Sequence, residues 1–224
     1  MDKRRVEWGQ GLLEMAVILP ILLIMLLGVV EIGLALRSYL VVVNANREGA
    51  RFASRGQFSD QFVGARVVNS AGTVRAGDPP TDVPFLRTRD FVSATAEANA
   101  GIIVTHILMD SDGDVYSHTV VVTGVHPSGE GGLIGAEQSV ISDTAPARAQ
   151  LVSRHRESTE SISTQRAAAM YDPVGNHIVV VETFFQHHPL WGSVDLPWGG
   201  SLFLPDPWIM HAQAEMRVLT DRQP

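Results

Sequence analysis

The stretch from Gly9 to Leu36, GQGLLEMAVILPILLIMLLGVVEIGLAL, leaves this chain few choices. Its sixteen residues from Met15 to Val30 carry no charge and are bracketed by Glu14 and Glu31. As a helix the whole stretch rises about 40 Å, at ~1.5 Å per residue. The hydrocarbon core of a bilayer is about 30 Å thick. The stretch is therefore read as a membrane-spanning helix with length to spare. A secretory signal shares the basic start, but its apolar core runs about 7–15 residues to a small-residue cleavage site. Here the run is longer and the helical pattern continues past it. A charged carboxylate at mid-bilayer costs on the order of 3 kcal/mol, so two glutamates in one span require a reason.

The flanks orient the span. The leader MDKRRVEW holds the cluster Lys3-Arg4-Arg5, whereas only Arg37 follows the span before Asn44. Basic flanks stay in the cytoplasm. This puts residues 1–9 inside as a basic leader and residues 56–224 outside, with the inner membrane as the location. Pro20 lies within the span and predicts a kink that membrane helices tolerate. Beyond the span, RSYLVVVNANREGARFASRG keeps a helical period. Ala45, Gly49 and Ala53 recur every fourth residue and form a small-residue ridge that lets another backbone approach closely. Arg47, Arg51 and Arg55 line a neighbouring face, with Glu48 spaced to pair with Arg51. One continuous helix over residues 10–55 follows, its outer half packed on the globular domain or on a neighbouring subunit. Gly56 is the expected C-cap.

The remaining sequence predicts an α+β domain with an antiparallel sheet. SDQFVGARVVNSAG has a helix start at Ser59 or Asp60, with Phe62, Val63 and Val67 at helical spacing. AGDPPTDVP (76–84) reads as a loop broken by Pro79-Pro80. TRDFVSATAEANAG (88–101) reads as a short helix. GIIVTHILMD (101–110) and VYSHTVVVTG (115–124) are rich in Val, Ile and Thr and flank an Asp-Gly turn, which predicts a β-hairpin. Residues 125–139 are a glycine-rich loop, and 147–171 a polar, solvated helix. NHIVVVETFFQHH (176–188) and WIMHAQAEMRVL (208–219) are strands separated by a Pro/Gly/Trp loop.

Composition narrows the chemistry. There is no cysteine, which excludes disulfides, thiolate nucleophiles and zinc–thiolate sites. The first 55 residues hold seven basic and five acidic side chains; with a whole-chain charge of −7, the rest carries −9. An acidic outer domain is a poor nucleic-acid binder. Asp110, Asp112 and Asp114 have a spacing that would suit Ca²⁺, but the EF-hand glycine after the third aspartate and the glutamate at the twelfth position are missing. A solvated hairpin turn is the better reading. His187-His188, with His177 and His211, suggests zinc only superficially, because adjacent strand residues point to opposite faces. The serines of SRHRESTESIST lack a nucleophile elbow, with His155 and Glu157 read as a polar helix face. Trp191, Trp198 and Trp208 read as lids over a small sheet, or as a binding patch. No Walker-type or dinucleotide loop is present, so neither an enzyme nor a cofactor is expected.

The border of the span has a specific spelling, Gly9-Gln10-Gly11-Leu12-Leu13-Glu14. A glycine followed five residues later by a glutamate just inside an apolar helix resembles a type IV prepilin-class processing site. The resemblance implies that a membrane peptidase cuts after Gly9, leaving Gln10 as the first residue and Glu14 as the fifth. The match extends further. Gly9-Gln10, Glu14, Pro20, Glu31-Ile32-Gly33 and Arg47-Glu48-Gly49-Ala50-Arg51 resemble the TadE-like family of tight-adherence (Flp-type) pilus assembly proteins. IVVVETFFQHHPLWG and MHAQAEMRV resemble that family's later segments more loosely. One departure is Met15, where the family's processed members commonly carry Tyr or Phe.

Glu14 also has a physical rationale. A carboxylate near a helix N-terminus is favoured by the helix dipole. After cleavage, the amine of Gln10 would lie about one turn away. Pairing with it, in the same chain or a neighbour, would fix the axial register of packed helices. The alternative is a glutamate that snorkels to the headgroups. Glu31 would sit at the outer interface, or pair with Arg37 or a partner helix. The expected function is thus a non-enzymatic, pilin-like membrane component of pilus assembly, with roles in adhesion or secretion. Its partners would be the bilayer, pilins, other pilus assembly proteins and the prepilin peptidase. The alternative is an unprocessed single-pass envelope protein whose outer domain is a binding module.

Overall fold

The apolar run and its continuation form one helix, α1, Lys3–Ser54, with Pro20 inside it. The computed structural model describes residues 3–55, 60–76, 80–88, 98–109, 115–124, 139, 141, 176–192 and 206–218. At 52 residues α1 is about 78 Å long, given a rise of ~1.5 Å per residue. It starts seven residues before Gln10, so the leader boundary is not a helix boundary. Between Lys3 and Gln10 only Gly9 has poor helix propensity.

Helix α2, Asp60–Ser70, follows at the expected start. It ends on Gly72, whose φ of 78° is the left-handed geometry common after a helix. Strands β1, Thr73–Ala76, and β2, Thr81–Pro84, then pair antiparallel, with Thr73 opposite Pro84 and Ala76 opposite Thr81. This corrects the loop expected over 76–84. Pro80 lies in a turn and Pro84 is the last residue of β2, a strand of a two-stranded sheet, positions where a missing N–H is harmless. The helix expected over 88–101 is also corrected at its end. Ala98 and Asn99 are not helical, and Ala100 opens a strand. Asn99 fixes that start: its Oδ1 accepts from Arg87 N–H at 2.8 Å, and its Nδ2 donates to Phe85 O at 3.1 Å.

Among the described residues the main sheet has four strands in the order β4-β3-β5-β6. They are β3, Ala100–Met109; β4, Val115–Gly124; β5, Asn176–His187; and β6, Trp208–Arg217. β3 pairs antiparallel with β4 on one side, through Ile102↔Thr123 and Val104↔Val121. It pairs antiparallel with β5 on the other, through Ile103↔Glu182, Val104↔Val181 and Thr105↔Val180. Six consecutive β5 residues, Ile178 to Thr183, are buried. A strand buried on both faces reads as a continuous apolar run rather than an alternating one. Ile107, Ile141, Ile178 and Val180 cluster on one face. The opposite face carries Val181, within reach of Gly49 on α1. Phe85 stacks on Phe185 with ring centroids 5.0 Å apart.

By its internal contacts the chain forms two units: residues 1–38 with 188–208, and residues 39–187 with 209–224.

Candidate functional site

In the first unit, α1 presents large apolar side chains around its circumference. Leu12, Leu13, Ile21, Leu22, Met25, Leu26 and Val29 are all exposed, and a β-carbon added at Gly11, Gly28 or Gly33 would meet nothing within 4 Å. A helix apolar all round is stable only in a core or a membrane. It is the single helix among the described residues that is long and apolar enough to cross a membrane. Glu14 is exposed on this surface.

Glu31 is the exception in the same unit, a carboxylate only 1% exposed. Both of its oxygens accept from the backbone N–H of Leu190, at 3.1 and 3.2 Å. Ala35, one turn on, is buried as well. Arg37 lies six residues further along α1 and is exposed. Glu31 thus ties the helix to the turn at residues 189–192, a partner its sequence surroundings do not announce.

In the second unit the outer part of α1 is buried at Val42, Ala45, Asn46, Gly49, Ala50 and Ala53. The ridge Ala45, Gly49, Ala53 faces the body of its own domain. A β-carbon at Gly49 would lie 2.4 Å from Val67 Cγ2 of α2 and 3.8 Å from Val181 of β5. Only glycine lets the helix come that close. Asn46, beside the ridge, is fully buried and bonded at both ends of its amide. Its Nδ2 donates to Ala212 O of β6 at 2.7 Å, and its Oδ1 accepts from Thr183 Oγ1 of β5. Glu48 meets Arg66 of α2 at 2.6 Å, where helix spacing pointed to Arg51.

Two polar clusters lie in the sheet. Glu182 is fully buried; Ser139 Oγ donates to its Oε2, and His211 Nε2 lies 3.2 Å from its Oε1. The His211 ring in turn packs on Phe184, with centroids 4.7 Å apart. Ser139 also accepts from Ile141 N–H at 3.1 Å, so the carboxylate and hydroxyl together hold Ser139 and the Ile141 backbone. This serine donates to the carboxylate and not to the imidazole. On the other face, His106 Nδ1 and His177 Nε2 are 2.9 Å apart. One ring must donate and the other accept, which requires a neutral imidazole. Burial, followed by the charge of His106, pushes His177 down from 6.5 to about 4. His187, His188, His177 and His211 do not gather: His188 pairs instead with Asp206, at 2.8 Å. Among the described residues no three His, Cys, Asp or Glu side chains are grouped to hold a metal.

Of the residues singled out from the sequence, Glu14 and Glu31 stand on one helix but in unlike surroundings. Gly9 and Gln10 lie within the helical stretch of α1. Asp110, Asp112 and Asp114 lie outside the described residues, as do Trp198 and residues 147–171. Asn46 and Glu182, both fully buried, are not among the residues singled out from the sequence. Their signals were a polar residue beside a small-residue ridge and a lone charge inside the apolar run IVVVETFF.

Comparison with known proteins places the resemblance on α1 alone. Residues 9–51 match the family model described as TadE-like protein. No curated protein and no solved structure matches the chain.

Proposed function

We propose that the chain is a single-pass, pilin-like component of tight-adherence pilus assembly. The observation that carries this reading is a coincidence of limits. The TadE-like match spans residues 9–51, the stretch in which α1 passes from an uncovered apolar surface to a small-residue ridge packed on its domain. In this reading the protein is not an enzyme. α1 anchors in the inner membrane with its basic end in the cytoplasm, and the acidic domain stands outside. A prepilin peptidase cuts between Gly9 and Gln10. The freed amine then pairs with Glu14 and sets the axial register against pilins or other assembly proteins.

The test is the mature N-terminus. Mass spectrometry of the protein from cells that carry the pilus system should find Gln10 first. An intact Met1 would favour the unprocessed envelope protein instead. Glu14→Leu should insert into the membrane normally and fail to co-purify with the pilus components; normal co-purification would refute the register role.

A further inference from the structure

The turn at residues 189–192 gathers three observations within the first unit. Gly192, with φ 65°, donates to Pro189 O at 3.4 Å and closes the turn. The tip residues Leu190 and Trp191 are 64% and 49% exposed. Leu190 N–H, a donor that a β-turn leaves without an internal partner, is taken by both oxygens of Glu31. The same segment is tied back on itself by His188 and Asp206, two residues before the exposed Trp208. The N–H of Leu190 is satisfied by α1, while the side chains of Leu190 and Trp191 are exposed.

The depth of this tip follows from α1. A span entered at Gly11 leaves a hydrocarbon core ~30 Å thick about twenty residues later, at Val30 or Glu31. A turn hydrogen-bonded to Glu31 therefore lies at the distal boundary of the span. Tryptophan is enriched at that level, because its ring is apolar and its N–H is wet. Arg37, exposed six residues on, is placed to reach the headgroups.

We propose that Leu190 and Trp191 form a second membrane contact, seated in the lipid interface beside the distal end of the span and held at that depth by Glu31. This rests on the reading of α1 as membrane-spanning. The bilayer is the occupant because the tip is continuous in depth with the uncovered apolar helix. Two side chains also offer far less than the ~800 Å² per partner of a stable protein interface.

The chain has no cysteine, so a single introduced thiol can be labelled uniquely. Full-length Leu190→Cys, Trp191→Cys, Val29→Cys and Val74→Cys would each carry a nitrobenzoxadiazole probe. The host is a phosphatidylethanolamine/phosphatidylglycerol nanodisc. Quenching is read with nitroxide lipids and with aqueous iodide. The expected result is lipid quenching and iodide shielding at positions 190 and 191, as at the span position 29, with iodide quenching at position 74. Adding Glu31→Ala to Leu190→Cys should remove the lipid quenching at 190 while a probe at 29 keeps it; no change would overturn the role of Glu31. Iodide quenching at 190 and 191 with lipid quenching at 29 would overturn the contact and leave the span intact. Shielding of 190 and 191 from both quenchers would also overturn it, in favour of a second copy covering the tip. Absence of lipid quenching at 29 would overturn the membrane reading, and the contact with it.

Discussion

From Gly11 to Val30, α1 carries large apolar side chains on every face and leaves nearly all of them uncovered. From Val42 to Ser54 the same helix carries Ala, Gly and Asn inward and buries them. The backbone is continuous, yet glycine means opposite things in the two regions. At Gly28 an added methyl meets open space, whereas at Gly49 it would collide with Val67. Polar residues differ in the same way. Glu14 is exposed, while Asn46 is sealed in and bonded at both ends. An uncovered apolar surface tolerates substitution by any residue the lipid tolerates. A ridge closed on a sheet tolerates only what fits.

That contrast can be broken or sharpened by measurement. The largest effect should come from Gly49→Val, which forces overpacking and costs about 3 kcal/mol or more. Gly28→Val should leave the denaturation midpoint of the detergent-solubilised protein unchanged. If both variants unfold alike, the two regions are not packed differently. Asn46→Ala strands the Thr183 hydroxyl and the Ala212 carbonyl in the interior and should cost about 2 kcal/mol. Asn46→Asp retains an acceptor but loses the donor to Ala212 O, and it adds a buried charge, so it should be no milder.

A third effect is set by pH. His177 titrates at about 4 in the folded protein against 6.5 ordinarily. The unfolded chain therefore binds the extra proton first as the solution is acidified. Stability is full above pH ~6.5, falls as the pH drops toward 4, and levels off below. The loss is about 1–2 kcal/mol once partial exposure is allowed for. His177→Gln should flatten that part of the stability–pH curve; an unchanged slope would show that another group carries it. The smallest effect belongs to the exposed Glu48–Arg66 pair. Arg66→Ala should not move the midpoint measurably, and less still at high salt.

Much of the architecture was legible because it rests on local periodicity. The apolar run, the small residues every fourth position and the Val/Ile-rich strands each announce their element without reference to the rest of the chain. The β1–β2 hairpin gives no such signal, because four-residue strands beside Pro79-Pro80 hold too few positions to show alternation. The partners of the key polar groups were hidden for a different reason. Glu31 meets Leu190 across 159 positions and Asn46 meets Ala212 across 166. Neither distance leaves a trace in spacing. Glu48 shows the rule failing close by: its i,i+3 neighbour Arg51 was available, but α2 delivers Arg66 at 2.6 Å. The expectation that Glu14 and Glu31 set helix register rests on resemblance and helix position alone, since exposure says nothing about register.

The bond between Asn46 and Ala212 also has a bearing on biogenesis. Chains grow from the N-terminus at about 5–20 residues per second. The helix that carries Asn46 thus leaves the ribosome some 8–30 s before the strand that will accept its amide proton. Over that interval the amide of Asn46 has no acceptor from β6, while the apolar half of α1 has already been made. A chain truncated before β6 would therefore keep the long apolar helix complete and leave the buried amide of Asn46 without its Ala212 acceptor.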